Sequence, residues 1–319
     1  MAMASGSTPS PSADAAAPRA VFLDALSLGP VDLAPIAAEA HLRCWPSTSL
    51  EERLPRLQGA EVAITNKVPL DGPLLAQLPQ LRLICTASTG TDQLDLRACE
   101  ARGITVRHAG RYSQPSVVQI TWALILELTC QLQLRREQVH SGAWQRSPVF
   151  ALVEPAFDEL AGGTLTVVGA GDIGRGVAAV GEAFGMTVRS ITSRTPPQEL
   201  EAALRQADVV SLHAPLTAAS RHLINAERLA WMKATAVLVN MGRGGLIDTP
   251  ALVRALQEEQ LAGAALDVLE REPPGPELEP LKSVPNLILT PHIGWASRQA
   301  RQRLVATLAA HLAAYRESR

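Results

Sequence analysis

The chain has 319 residues, enough for two domains of ordinary size, each with its own core. Hydrophobic residues make up 47% and charged ones 19%, the balance of a soluble globular protein, and at a net charge of -2 with no basic block or aromatic-interleaved basic patch the composition argues against nucleic acid as a partner. The four cysteines, Cys44, Cys85, Cys99 and Cys130, have no CxxC or zinc-type spacing; no metal is implied, and each lies in or beside an apolar segment, as a reduced packing residue would.

Residues 1–18 are rich in Ala, Ser and Pro and lack the positive start and continuous apolar stretch of a secretory leader. The composition predicts a disordered tail on a cytoplasmic protein. From Arg19 onward short apolar strands alternate with helical stretches. Strands are predicted at Val21–Leu23, Val62–Thr65, Leu81–Thr86 and Ile104–Val106, with helices over Leu50–Leu57, Leu74–Leu78 and Leu96–Arg102, the pattern of a parallel α/β domain. The next segment, Ser116–Leu134, is apolar almost all round a helix and must be buried on most sides. Gln119, Glu127, Gln131 and Gln133 interrupt it, which favours a core or subunit-contact helix over a membrane span.

Thr164–Gly174, TLTVVGAGDIG, is a strand running into a turn punctuated by Gly169, Gly171 and Gly174. In the dinucleotide-binding fingerprint these glycines allow a tight turn, backbone approach to a pyrophosphate, and close helix-to-strand packing. The amides that open the next helix, around Asp172 and Ile173, would hold the phosphate charge. A glycine triplet also fits an ordinary turn. Here an apolar strand precedes it and a helix-compatible stretch, Arg175–Phe184, and a second strand, Thr187–Thr192, follow, which completes a β-α-β unit. Strands at Val209–Leu212, Ala236–Asn240, Ala264–Asp267 and Leu287–Leu289 continue the alternation and predict a doubly wound parallel sheet. The chain closes with a helix over Ser297–Ala314, expected to pack back on the first domain.

Four elements fall at ends of predicted strands, where open α/β sheets bind ligands: His213-Ala214-Pro215, Asn240-Met241-Gly242-Arg243-Gly244, Asp267–Pro273, and Thr290–Trp295. Arg243, between two glycines, could grip a carboxylate bidentately or be a surface-loop arginine. His292 alone could equally be a satisfied core histidine.

Together these motifs, above all MKATAVLVNMGRGGLID at Met232–Asp248 with LDVLEREPP and TPHIGWAS, resemble the D-isomer-specific 2-hydroxyacid dehydrogenase family, in its glycerate dehydrogenase/hydroxypyruvate reductase branch. The resemblance covers nearly everything after the tail. It implies a Rossmann cofactor domain, 116–290, inserted in a flavodoxin-like substrate domain, 19–115 with 291–319, and an active site in the cleft between them. The family's catalytic arginine falls on Arg243, its glutamate on Glu272, with Glu270 set aside by position, and its proton-donating histidine on His292. Asp267 matches the aspartate near the nicotinamide amide; Ala214, Pro215, Met241 and Gly242 fall among the cofactor-binding positions. Ser88, Thr89 and Gly90 match the loop whose amides bind the substrate carboxylate, and Trp295 would wall the substrate tail or simply pack at the domain interface. The implied reaction is NAD(P)H-dependent reduction of a small 2-oxo acid, hydroxypyruvate or glyoxylate, with Arg243 orienting it, His292 protonating the oxygen, and Glu272 holding His292. A homodimer through the 116–134 helix is also implied, with neither nucleic acid nor membrane as partner.

Two positions depart from the family pattern. NAD-preferring members carry an acidic residue after the second cofactor-domain strand, whereas this chain has Thr192-Ser193-Arg194. Ser193 and Arg194 could bind a 2′-phosphate, favouring NADP(H) over NAD(H); alternatively Arg194 stacks on adenine and either cofactor binds. Thr166 replaces a common glycine, with no functional consequence evident. Corepressors resembling the family keep its fold and catalytic residues, so a dinucleotide-gated binding protein is the alternative, though this chain lacks their long C-terminal region. A formate dehydrogenase would want glutamine at Glu272, a phosphoglycerate-type enzyme arginine at Thr86, and a phosphite-oxidising enzyme lysine near Thr89.

Overall fold

The structure, a computed structural model, describes residues 17–319. The expected tail lies outside the described residues as far as residue 16. At its end Pro18 is buried and its carbonyl accepts from the His41 amide at 2.9 Å, so the fold begins just before Arg19.

The described chain forms two compact units, one running to Ser113 and resuming over Ala296–Arg319, the other Gln114–Trp295. In the first, β1 (Arg19–Phe22), β2 (His41–Cys44), β3 (Val62–Thr65), β4 (Leu83–Thr86) and β5 (Thr105–His108) make a parallel sheet in the order β2-β1-β3-β4-β5, the flavodoxin-like arrangement. Central strands of such a sheet are covered on both faces, which is why β3 and β4 read as unbroken VAIT and LICT and are buried throughout. β2 has no such run: it is an edge strand, exposed along most of its length, and its Cys44 is exposed rather than packed. Cys85 and Cys99 are buried, and burial pushes the Cys85 thiol up to about 12. The final helix, Arg298–Glu317, buries Ala300, Leu304, Val305, Leu308 and Leu312 at helical spacing, and Arg316 pairs with Glu39 at 2.9 Å.

The second unit holds six parallel strands, β6 (Thr164–Val168), β7 (Thr187–Ile191), β8 (Val209–Leu212), β9 (Val237–Asn240), β10 (Gly263–Leu266) and β11 (Leu287–Leu289), in the order β11-β10-β9-β8-β6-β7. The chain steps from β6 outward to β7, then returns to the other side of β6 to lay down β8. That reversal puts a topological switch point at the carboxyl end of β6. The helix Gln114–Cys130 buries Val117, Thr121, Trp122, Leu124 and Ile125 on this unit, and the Trp122 indole donates to the Val177 carbonyl at 3.2 Å.

The helix expected over Ser116–Leu134 is broken. Gln131 adopts a left-handed conformation (φ 52°), and a second helix, Leu132–His140, leaves at 56°. None of its residues, LQLRREQVH, is buried, and Glu127 caps its start by accepting from the Gln133 amide at 3.0 Å. Among the described residues no single helix is long and apolar enough to cross a membrane.

The unit boundaries fall at 113/114 and 295/296 rather than 115/116 and 290/291. The second shift has a clear cause, because residues 290–294 are hydrogen-bonded to Asp267 of the cofactor-type unit.

Candidate active site

All six strands of the second sheet are parallel, so the loops after them leave along one edge, and there the glycines show how tightly they meet. Gly169 (φ 104°) ends β6; a Cβ on it would sit 2.6 Å from the His213 carbonyl carbon, so the turn after β6 and the one after β8 are in backbone contact. A Cβ on Gly174 would strike the Gly169 carbonyl, which is the close helix-to-strand packing of the fingerprint. Gly171 is different: a Cβ there would meet nothing within 4 Å. The turn is thus closed on its inner side and open at Gly171, the shape a pyrophosphate needs. The helix Asp172–Ala183 starts at that opening, and its first amides, those of Asp172, Ile173 and Gly174, have no intrahelical acceptor. A carboxylate at Asp172 would repel phosphate, but Arg175 pairs with it and also donates to the Ala170 carbonyl at 2.8 Å. Arg175 thus offsets the Asp172 charge, a pairing that motif reasoning passed over.

After β7 the Thr192 amide donates to Thr195 Oγ1 at 3.0 Å and the Arg194 amide to Thr192 Oγ1 at 3.2 Å, a small hydroxyl-braced turn. It presents Ser193 and Arg194 to solvent, and the Arg194 guanidinium bonds to nothing among the described residues. No carboxylate stands at this strand end. After β8, Ala214 and Pro215 follow His213, whose Nε2 bonds Ser211 Oγ at 2.8 Å while its Nδ1 is buried and has no partner among the described residues. Burial pushes His213 down to about 4.

After β9 the buried Asn240 shapes the arginine turn from within: its Oδ1 accepts from the Gly242 amide at 3.0 Å and its Nδ2 donates to the Arg243 carbonyl at 2.9 Å. Arg243 is half-buried. Gly242 packs against the Ala214 carbonyl, where a Cβ would come within 2.9 Å, and Gly244 lies so close to the backbone of Leu269 and Glu270 that no Cβ fits. Met241 touches Gly294 through its terminal methyl, 2.6 Å from where a Cβ would be. The loops after β8, β9, β10 and β11 therefore interlock.

Asp267, 3% exposed at the end of β10, accepts through Oδ1 from Thr290 Oγ1 (2.6 Å) and the Ile293 amide (2.9 Å), and through Oδ2 from the Gly294 amide (2.8 Å). These bonds pin the loop after β11, on which His292 sits at φ 54°. His292 Nδ1 is 2.6 Å from Glu272 Oε2, and Glu272 Oε1 accepts from the Leu269 amide at 2.9 Å. An ionised carboxylate can only accept, so Nδ1 carries the proton toward Glu272 and Nε2 is the nitrogen left for exchange with a ligand. Asp267 thus acts on the histidine loop directly, a role the sequence reading did not contain. Trp295, half-buried, closes this unit three residues after His292.

Ser88, Thr89 and Gly90 belong to the first unit, after β4. Ser88 Oγ donates to the Gly90 carbonyl and Thr89 Oγ1 to the Gly110 carbonyl, each at 2.8 Å, while the three amides find no acceptor among the described residues. Thr166 is also structural: wholly buried, it bonds the Ala203 carbonyl at 3.0 Å and ties β6 to the helix Pro197–Gln206.

A glycine turn at the switch point, a helix whose first amides have no intrahelical acceptor, and an Arg, Glu and His on interlocked loops beside it define a nicotinamide-dinucleotide oxidoreductase. The family profile of the D-isomer specific 2-hydroxyacid dehydrogenase NAD-binding domain matches residues 122–294, more than half of the chain. Glycerate dehydrogenase of Methylorubrum extorquens is 39% identical over 83% of this chain and 85% of its own length, and hydroxypyruvate reductase of Blautia hydrogenotrophica is 33% identical over 89% and 92%. The crystal structure of D-lactate dehydrogenase from Aquifex aeolicus, complexed with NAD and lactic acid, aligns with a TM-score of 0.83 at 30% identity, over 94% of this chain and 96% of that one. The chain belongs to the D-isomer-specific 2-hydroxyacid dehydrogenases, in their glycerate dehydrogenase/hydroxypyruvate reductase branch. It is an enzyme that interconverts a 2-oxo acid and a 2-hydroxy acid with a nicotinamide dinucleotide.

Proposed function

We propose that this enzyme reduces hydroxypyruvate, and glyoxylate secondarily, to the D-2-hydroxy acid, with NADP(H) preferred over NAD(H) and His292 as the proton donor. The observation that carries the reading is the 2.6 Å pair of His292 Nδ1 with Glu272, on a loop pinned by Asp267. The reduced nicotinamide, when bound, supplies hydride to C2 of the oxo acid. His292 Nε2 delivers a proton to the oxygen as it gains charge, so that hydride and proton together convert the carbonyl to a hydroxyl. Glu272 fixes the ring and keeps Nδ1 protonated, leaving Nε2 to exchange. Arg243 grips the carboxylate and the oxo group, with its turn held by Asn240; the amides of Ser88, Thr89 and Gly90 are assigned to the same carboxylate.

Cofactor choice rests on the exposed Ser193-Arg194 turn, where a guanidinium can take a 2′-phosphate and no carboxylate competes for ribose hydroxyls. The short substrate rests on the small residues Ala87–Thr91 and on Trp295 as a wall for the tail. For the assembly we propose a homodimer, with the contact extended past the 116–134 stretch. Leu132, Val139, Trp144, Val149, Phe150 and Phe157 are all exposed large apolar side chains, a density that marks a protein contact.

The test is kcat/KM for hydroxypyruvate, glyoxylate, pyruvate and phenylpyruvate with each reduced nicotinamide. Hydroxypyruvate with NADPH is expected to lead. Phenylpyruvate or a branched 2-oxo acid ahead of hydroxypyruvate would overturn the substrate, NADH ahead of NADPH the cofactor, and no turnover of any acid would favour a dinucleotide-gated binding protein.

A further inference from the structure

Glu270 stands two residues before Glu272 on the loop after β10, and its carboxylate goes elsewhere. Its Oε2 accepts from Arg221 Nη2 at 3.2 Å, and its Oε1 lies 3.4 Å from His222 Nε2. Those partners belong to the long connection after β8. That connection is hydrogen-bonded to the stretch that follows Arg243: the His222 amide donates to the Gly245 carbonyl (2.8 Å), the Ile224 amide to Leu246 (2.9 Å), and the Asp248 amide back to Ile224 (2.9 Å). His222 takes a left-handed conformation (φ 49°) to do so. Gly244, next to Arg243, is itself in backbone contact with Leu269 and Glu270.

The arginine turn and its continuation thus have two neighbours: residues 222–224 bond to residues 245–248, residues 269–270 touch Gly244, and the Glu270 side chain joins those two neighbours. We propose that Glu270 is a positioning residue that clamps the loop of Glu272 onto the turn of Arg243. The inference rests on the assignment of those two residues to the reaction. The His292 ring that Glu272 holds and the Arg243 guanidinium are both assigned to one small substrate, so their separation must be fixed, and a misplacement of about 1 Å is worth roughly 10²-fold in rate. The pair itself is substantially exposed, with Arg221 56% and Glu270 35% accessible, and exposed ion pairs contribute little to global stability. The signature of the clamp is accordingly kinetic.

Glu270→Ala, Arg221→Ala and the double variant would be compared with the wild-type holoenzyme in reduction of hydroxypyruvate. Each single variant is expected to lower kcat about 10-fold or more, with KM for the nicotinamide and the melting temperature unchanged, because the fingerprint turn and residues 193–194 lie outside the clamp. The double variant should lose no more than either single one, since both break the same link. Glu270→Gln, which keeps the shape and one accepting oxygen, should recover part of the loss. Wild-type kcat in Glu270→Ala, single losses that multiply in the double variant, or equal losses in stability and cofactor affinity would overturn the clamp while leaving the proposed reaction intact. A wild-type enzyme that reduces no 2-oxo acid would take down both.

Discussion

The loop edge of the cofactor-type sheet is built in two different ways. After β7 the chain makes a solvent-exposed turn braced by threonine hydroxyls, and the guanidinium it offers bonds to nothing among the described residues. From β8 to β11 the loops interlock through glycines that tolerate no Cβ, a buried Asn240 with both side-chain functions used, and a buried Asp267 with three donors. The Ser193 and Arg194 side chains at the first end can change without breaking a contact among the described residues, whereas Asn240 and Asp267 at the second end hold neighbouring backbone in place. Cofactor choice is proposed to reside at the permissive end and proton transfer at the constrained one, and that division can be broken experimentally.

The largest effect should come from the constrained end. Replacing His292 by Ala is expected to lower kcat for reduction by about 10² to 10⁴-fold, the usual worth of a general acid. Glu272→Gln should cost somewhat less, because the ring remains on its Asp267-pinned loop. Steady-state rates near wild type in His292→Ala would remove the residue from the reaction.

Two glycine substitutions sharpen the contrast. Gly244→Ala forces a methyl into the Leu269–Glu270 backbone and should cost several kcal/mol of stability, on the order of 3 or more by overpacking alone, read as a fall in melting temperature. Gly171→Ala adds the same methyl to open space and should leave the melting temperature in place, yet raise KM for the nicotinamide where the phosphate must approach. Equal melting temperatures for the two variants would contradict the packing described here.

At the permissive end Arg194→Ala should raise KM for NADPH about 10- to 100-fold and leave that for NADH nearly unchanged, since only the 2′-phosphate loses a charge-assisted bond. Parallel changes for both cofactors would place Arg194 on the adenine instead.

The smallest effect is confined to acid. His213 is held neutral by burial, with a pKa of about 4 against an ordinary 6.5. As pH falls below about 6.5 the unfolded chain takes up a proton that the folded chain refuses, so stability is lost between roughly 6.5 and 4 and levels off below, by on the order of 1–3 kcal/mol. In denaturant titrations His213→Asn should lack that part of the slope. An unchanged slope would show that other groups carry it.

What was legible in the chain divides along the same physical line. Buried central strands such as VAIT and VLVN announce themselves because both faces are covered, and the fingerprint glycines and the Arg, Glu and His motifs mark their loops. β2 was missed because an edge strand with exposed faces leaves no apolar run, and the break at Gln131 was missed because the apolar residues beyond it, Leu132 and Leu134, continue the period although no residue of the helix they lie on is buried in the described chain. Thr166, Asp267's hold on the histidine loop and the pairing of Glu270 with Arg221 could not be read from spacing. Each is a contact between segments tens of residues apart, and only the folded sheet brings those together.

We propose that His292, held by Glu272, gives the proton in NADPH-dependent reduction of a short 2-oxo acid. The most direct measurement is the loss of reduced-nicotinamide absorbance with hydroxypyruvate, run on wild type and on His292→Gln at saturating NADPH. Rapid turnover by wild type with a loss of about 10²-fold or more in the variant, at unchanged KM for NADPH, is the predicted result. Turnover that survives the substitution, or a wild-type enzyme idle on hydroxypyruvate and glyoxylate alike, would contradict it.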